Sequence, residues 1–258
     1  MSISGQPSYR DIPQDRVDRP LAAYAQDYAD GHETGRHIHA RAQLLYATAG
    51  LMRIATDVAY FVVPPGRGLF VPARLPHAVR MEGAVAMRAL FLREDAARGA
   101  PAATRVLAVT PLLRELILAA CAEPMEWDEA GRGGHLAALI LSELMRAEAL
   151  PLSVPEPRDP RLARLTAALR EDPARGLTLD GWALECGASP RTLRRLFAAE
   201  TGMGFAQWRQ ALRLTEASAL LAQGVAPARA ASTVGYSSAS AFGAAYRAVF
   251  GETPRGRG

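Results

Sequence analysis

Two stretches of this chain repeat one plan about 48 residues apart, and that duplication limits the fold more than any other feature. In residues 178–202, "TLDGWALECGASPRTLRRLFAAETG", Thr178 and Asp180 are placed to cap a helix carrying Leu179, Trp182, Ala183 and Leu184 on its apolar side. Gly187 tolerates the left-handed backbone that closes such a helix. Ser189 then supplies an N-cap, and Pro190 sits at the first helical position, where its missing N–H costs nothing. The next helix puts Leu193, Leu196 and Phe197 on one face and Arg191, Arg194 and Arg195 on the other. Residues 227–254, "PARAASTVGYSSASAFGAAYRAVFGETP", return to the plan, with Gly235 in the place of Gly187 and Gly251 in that of Gly202. Ser237 or Ser238 starts the second helix there, and Phe242, Tyr246 and Phe250 give it an apolar face. Between the two, "FAQWRQALRLTEASALLAQG" (205–224) reads as one amphipathic helix closed by Gly224. A single glycine turn between helices is weak evidence. Two, with matching caps and cores, predict an all-α region with two helix-turn-helix units.

Charge points the same way. The chain has no lysine, so all 30 basic residues are arginine. From Arg158 onward 14 Arg face 8 acidic residues, a balance of +6, while the rest has 16 Arg against 18 acids. A basic C-terminal part beside a near-neutral N-terminal part implies a polyanion partner for the former. Base edges are reached from the start of a second helix, which singles out Ser189, Arg191, Thr192, Arg194 and Arg195 in the first unit. In the second unit the corresponding candidates are Ser237, Ser238, Ser240 and Arg247, with Arg209 on the connecting helix as a backbone contact. The second recognition stretch is otherwise small: Ala239, Ala241, Gly243 and Ala244 make no bidentate contact to a base.

Residues 159–258 resemble the DNA-binding domain of AraC/XylS-type transcription regulators. "GASPRTLRRLFAAETG", the 205–224 helix and "VGYSSASAFGAAYRAVFGETP" carry that resemblance. It implies double-stranded promoter DNA as partner, and RNA polymerase as a second one if the protein acts as an activator.

The N-terminal part has another texture. Residues 21 to about 95 hold short apolar runs broken by Gly and Pro, such as "AQLLYATAG", "VAYFVVPPGRG" and "VAMRALFL", which read as many short strands in a sandwich or barrel. Within them "GHETGRHIHARAQLLYATAG" (31–50) places His37 and His39 two apart, with Gln43 beyond. "GRGLFVPARLPHAV" (66–79) adds His77. On one strand His37, His39, Arg41 and Gln43 would share a face. These spacings resemble the two motifs of the cupin barrel, with Gln43 where Glu is usual, Met81 where Asn is usual and Arg74 replacing a usual glycine. The resemblance implies that His37, His39, Gln43 and His77 converge on a divalent ion such as Zn, Ni, Co or Fe(II), or that they line a small-molecule pocket with Arg41. His32 and His135 have no partner in the sequence and read as surface or helix residues.

Residues 110–149 change to helical spacing. Leu112, Leu113, Leu116, Ile117 and Ala120, then Leu136, Leu139, Ile140, Leu144 and Met145, form stripes that a small barrel or a second copy of the chain could cover. "PLSVPEPRDP" (151–160) has four prolines and reads as a stiff linker. The polar N-terminus lacks an apolar signal-peptide core and reads as a flexible arm.

The expected fold is therefore α+β with two domains: a flexible arm (1–20), a cupin-like sensor barrel (21–100), a helical dimerisation segment (101–150), the linker (151–160) and the double helix-turn-helix domain (161–258). No apolar run reaches the length of a membrane span. Cys121 and Cys186 lie in apolar, helix-like contexts in different halves, which suits a reducing cytoplasm. A cupin barrel before this DNA-binding domain is a known AraC-type arrangement, with the barrel as sensor and dimerisation unit. The reading is a sequence-specific regulator, a homodimer, answering to a small-molecule effector and not an enzyme. The alternatives are a metal-dependent cupin dioxygenase or isomerase with an appended helical domain, and an architectural DNA binder with no effector.

Overall fold

The computed structural model describes residues 7–10 and 12–255 and divides the chain into two compact units. The first comprises residues 1–56 and 63–150, and the second residues 57–62 and 151–258.

In the first unit, strand β1 (Ser8–Tyr9) and the short helix α1 (Pro13–Arg16) lead into β2 (Leu21–Tyr28), β3 (His37–Ile38), β4 (Ala42–Tyr46) and β5 (Leu51–Thr56). After β6 (Ala59–Val63), which falls almost wholly in the second unit, the first unit continues with β7 (Arg67–Val71), β8 (His77–Glu82), β9 (Val85–Leu92) and β10 (Arg105–Ala108). Helices α2 (Pro111–Cys121) and α3 (Arg132–Arg146) and the two-residue strand β11 (Ala149–Leu150) complete the unit. One sheet runs β1-β3-β8-β5 and the other β11-β10-β7-β4-β9-β2. This is the sheet-rich, cupin-like domain with flanking helices. Strands β4 and β5 are buried along nearly their whole length, so their sequences do not alternate strictly between apolar and polar.

Thr110 caps α2 by accepting from the Leu113 N–H at 3.1 Å, with Pro111 in the first turn. The stripes on α2 and α3 split. Leu113, Leu116, Ile117, Ala120, Ile140 and Leu144 pack on the sheet core with Leu21, Leu44, Tyr46, Phe70 and Leu90. Full burial of such side chains contributes about 1.5–3 kcal/mol each, so the sheet is their natural partner. Leu112 and Leu139 stay about half exposed, at 53% and 51%. The Trp127 indole N–H, in the loop between the helices, donates to the Leu21 carbonyl at 3.2 Å.

Residues 8–10 and 12–19, read as part of a flexible arm, are instead built into the domain. Ser8 and Tyr9 pair in parallel with His37 and Ile38. The Arg41 guanidinium is buried and donates to the backbone carbonyls of Asp15, Val17 and Arg19. Residues 1–6 and 11 of that arm lie outside the described residues.

In the second unit, β12 (Ser153–Pro155) pairs antiparallel with β6, so the proline-rich stretch carries a strand where a linker was expected. Six helices follow: α4 (Pro160–Glu171), α5 (Leu179–Cys186), α6 (Pro190–Thr201), α7 (Phe205–Ala222), α8 (Pro227–Thr233) and α9 (Ala239–Phe250). Local chemistry sets their ends. Thr178, Ser189 and Ser238 each accept a backbone N–H three residues on, while Gly187, Gly202 and Gly251 take the left-handed conformation after α5, α6 and α9. Phe197 packs against Phe205 and Trp208, with ring centroids 5.5 and 6.0 Å away. A second core joins Leu214, Ala217 and Leu221 of α7 to Ala230, Ala231, Phe242 and Tyr246. Strands β6 and β12 are tied to these helices. The Trp208 indole donates to the Pro155 carbonyl at 2.7 Å, and the Tyr60 hydroxyl donates to Glu216 Oε1 at 3.3 Å. Arg170 pairs with Glu156 and lies over the Tyr60 ring. No helix among the described residues is long and apolar enough to cross a membrane.

Candidate functional site

His37 opens β3 and His77 opens β8, and the two are cross-strand partners. Their rings lie 4.4 Å apart, and His39 follows β3 with its ring 5.0 Å from His37 and 5.9 Å from His77. All three are buried, and one candidate ligand atom from each lies within 4.8 Å of the others. Gln43 comes from the other sheet, where β4 pairs it with Val71 and Phe91, and it lines the same cavity. The cavity therefore sits between the two sheets of the first unit. It holds about 390 Å³ of atom-free space, part of it open to solvent. Tyr24, Tyr28, Leu45, Met87 and Phe91 form much of its wall, with Arg10 and Thr34 as polar members.

The hydrogen bonds fix the tautomers. His37 Nδ1 meets the Gly35 carbonyl at 2.9 Å, and His77 Nδ1 meets the Leu75 carbonyl at 3.0 Å. A carbonyl only accepts, so both Nδ1 atoms carry the proton. His39 Nδ1 lies 2.9 Å from Asp15 Oδ2, again a donor to an acceptor. In His37 and His77 the lone pair is left on Nε2. Burial, the largest influence, lowers the His37 pKa to about 4 and the His77 pKa to about 3, so both are neutral at pH 7. The buried His77 Nε2 and Gln43 Oε1 have no hydrogen-bond partner among the described residues. An unsatisfied buried acceptor costs about 1–3 kcal/mol, so two facing one cavity call for a ligand.

This donor set suits a borderline divalent ion. Imidazole nitrogens on one such ion stand roughly 3–3.5 Å apart, given metal–nitrogen lengths of about 2.0–2.1 Å, so the cluster, now within 4.8 Å, would tighten on an ion. The outward Nδ1–H bonds to a carboxylate and two carbonyls are the orienting contacts that metal-binding histidines use.

Two sequence expectations change here. The stretch from His37 to Gln43 is not one strand: β3 stops at Ile38 and β4 begins at Ala42. The break turns Arg41 away from the cavity lining and into the carbonyls of residues 15, 17 and 19. Arg41 thus holds the N-terminal segment instead of lining the pocket. That segment supplies Asp15, which sequence reading missed because its partner lies 24 residues away. Asp15 Oδ1 also accepts from the Arg41 backbone N–H at 3.2 Å. His32 is exposed beside Tyr28, and His135 is exposed on α3.

On the second unit, α6 presents Arg191, Arg194 and Arg195 to solvent, opposite buried Leu193, Leu196 and Phe197. Among the described residues the ion pair recorded for these arginines is a loose one, Arg194 to Asp180 at 3.9 Å. Ser189 and Thr192 bond each other at 2.9 Å while Ser189 caps the helix. On α9, Ser238 is likewise engaged as a cap, and Ser237, Ser240 and Arg247 are exposed. Arg209 is half-buried: it donates to the Leu177 carbonyl at 3.2 Å and lies over Phe205.

A duplicated helix-turn-helix on one unit and a histidine-lined cavity between sheets on the other define a DNA-binding regulator with a sensor domain. Comparison with known proteins agrees. The family profile described as an AraC-like ligand binding domain matches residues 20–171, and one described as a helix-turn-helix domain matches residues 182–256. The chain is 30% identical over 225 residues to the HTH-type transcriptional regulator NimR of Escherichia coli (strain K12), covering 84% of this chain and 80% of that protein. It is 38% identical over 96 residues to the HTH-type transcriptional regulator RipA of Corynebacterium glutamicum, covering 37% of this chain and 29% of that one. Among solved structures it is similar to ToxT from Vibrio cholerae, at 8% identity and a TM-score of 0.38, over 92% of this chain and 97% of that one. The chain belongs to the AraC family of helix-turn-helix transcription regulators.

Proposed function

We propose that this regulator senses its effector through a divalent ion held by His37, His39, His77 and Gln43, and that the ion-bearing cavity serves signalling rather than turnover. The observation that carries the reading is the convergence of three Nδ1-anchored histidines with Gln43 on one cavity, where two buried acceptors, His77 Nε2 and Gln43 Oε1, have no partner among the described residues. The protein contributes four donors, positions them and surrounds them with apolar walls. An ion supplies a Lewis-acidic centre on which an effector donor atom can bind. Protein purified without chelator or histidine tag should carry about one equivalent of a first-row divalent ion per chain by elemental analysis. Less than a tenth of an equivalent, not raised by Zn²⁺ or Co²⁺ after dialysis, overturns the reading.

DNA is read mainly through Arg191, Arg194 and Arg195 of α6, while α9 positions the second unit with Ser237, Ser240 and Arg247. The caps Ser189 and Ser238 and the Thr192 hydroxyl hold the recognition helices in register. Arg209 supports the start of α7 and adds charge near the phosphates. RNA polymerase is the further partner of an activator of this design, and the cytoplasm is its compartment.

The protein acts as a homodimer through the outer faces of α2 and α3. Leu112 and Leu139 remain half exposed there, and Met145 is 40% exposed. Linking two DNA-binding domains raises the effective concentration of the second. Leu112→Glu/Leu139→Glu should sediment as a monomer at micromolar concentration and bind a two-site operator at least about tenfold more weakly. Folding should survive, because exposed substitutions usually change stability within about 0.5 kcal/mol. Unchanged sedimentation would remove these helices as the interface.

A further inference from the structure

We propose that the cavity selects a small anionic effector, a carboxylate on a flat apolar body, and that Gln43 sets this selectivity. The proposal rests on the ion reading above and adds the chemical class of the ligand.

The donors are three imidazoles and one amide, none of which carries a negative charge, so the protein places no negative charge directly on the ion. The nearby carboxylate, Asp15, is spent on the far side of His39 and on the Arg41 N–H. Arg10, which lines the cavity, adds a positive charge. A divalent ion here would leave the centre about two charges positive in a cavity between two apolar sheets, where uncompensated charge is costly. An anion bound at the ion relieves that cost, while a neutral ligand of the same shape does not. Gln43 is the residue that decides it: glutamate is nearly isosteric, would occupy the same buried place on β4, and would supply the missing charge from the protein.

The walls specify the rest of the ligand. Phe91 stands edge-on to His39, with ring centroids 5.1 Å apart and planes at 77°, and Tyr24 stands edge-on to Phe91 at 6.3 Å. The Tyr24 and Tyr28 hydroxyls lie 3.3 Å apart and engage each other. What these rings offer is therefore mainly apolar edge and face, suited to a flat ring or a short alkyl body.

The test uses the full chain loaded with Co²⁺, whose visible spectrum reports its ligands. Cobalt stoichiometry is measured first. The loaded protein is then titrated with two shape-matched pairs, benzoate against benzamide and acetate against acetamide, and followed by absorption and by thermal shift. The carboxylate of each pair should change the cobalt spectrum and bind at least tenfold tighter than its amide, with benzoate tighter than acetate. Gln43→Glu should keep one Co²⁺ per chain, which controls for folding, and lose at least tenfold in benzoate affinity. Equal binding of carboxylate and amide overturns the proposal with the ion reading intact, and so does a Gln43→Glu protein that binds benzoate as the wild type does. Failure to take up Co²⁺ overturns the ion reading and the proposal with it.

Discussion

His37→Ala/His77→Ala should bind operator DNA within about threefold of the wild type, yet lose every dependence of that binding on Zn²⁺ or Co²⁺. The two histidines lie in the first unit and the recognition helices in the second, so basal DNA contact does not pass through them. Removing two of three imidazoles leaves His39 and an amide, too few donors to hold an ion in competition with water. Thermal denaturation gives an independent reading. A ligand at a hundred times its Kd stabilises the folded state by about 2.7 kcal/mol, so wild-type protein should show a clear rise in Tm with Zn²⁺. The double variant should show none. Its ion-free Tm should fall, because two buried imidazoles and their bonds to the Gly35 and Leu75 carbonyls are lost, so the response to the ion is what is compared. His37→Gln/His77→Gln, which keeps more of the volume, should behave alike if packing is not the cause. A double variant that still changes its DNA affinity with the ion would make the cluster a structural feature of the barrel.

Arg195→Ala and Arg191→Ala should each weaken operator binding roughly 5- to 150-fold and relax preference at one guanine. A good bidentate arginine–guanine contact discriminates by about 1–3 kcal/mol, and each 1.4 kcal/mol is tenfold. Both side chains are exposed on α6 opposite its buried face, so their loss should not disturb the fold. Arg209→Ala should differ in kind. Its guanidinium is engaged with Leu177 and Phe205, so stability should fall along with affinity, evenly across DNA sequences. The operator half beneath α9 should tolerate base changes better, since α9 exposes serine, alanine and glycine where α6 exposes arginine. Selection from randomised DNA reads both effects together. Unchanged base preference in the Arg191 and Arg195 variants would end the assignment of α6 as reader, and equal stringency in both halves would end the asymmetry.

The parts of this protein that were legible in the sequence are those set within a few residues. Thr178, Ser189 and Ser238 cap their helices through bonds that span three residues. Gly187, Gly202 and Gly251 end helices because left-handed backbone is cheap only without a side chain. The repeat of this punctuation exposed both helix-turn-helix units, and histidine spacing brought out the cluster in the first unit. Alternation misplaced Arg41, because it assumes an unbroken strand and β3 ends at Ile38.

Tertiary structure decided what depends on distant partners. Asp15 meets His39 across 24 residues, and Tyr60 meets Glu216 across 156. The latter makes residues 57–62 part of the DNA-binding unit although they are embedded in the strand region of the sequence. The apolar stripes on α2 and α3 announced that something covers them, but not what. The sheet took Leu113, Ile117 and Ile140 and left Leu112 and Leu139 exposed. The physical reason is common to all of these. A cap or a glycine turn is settled by local sterics and one short hydrogen bond, which the neighbouring residues specify completely. Burial, ion pairing and the closing of a cavity are settled by whichever surface the rest of the chain brings there.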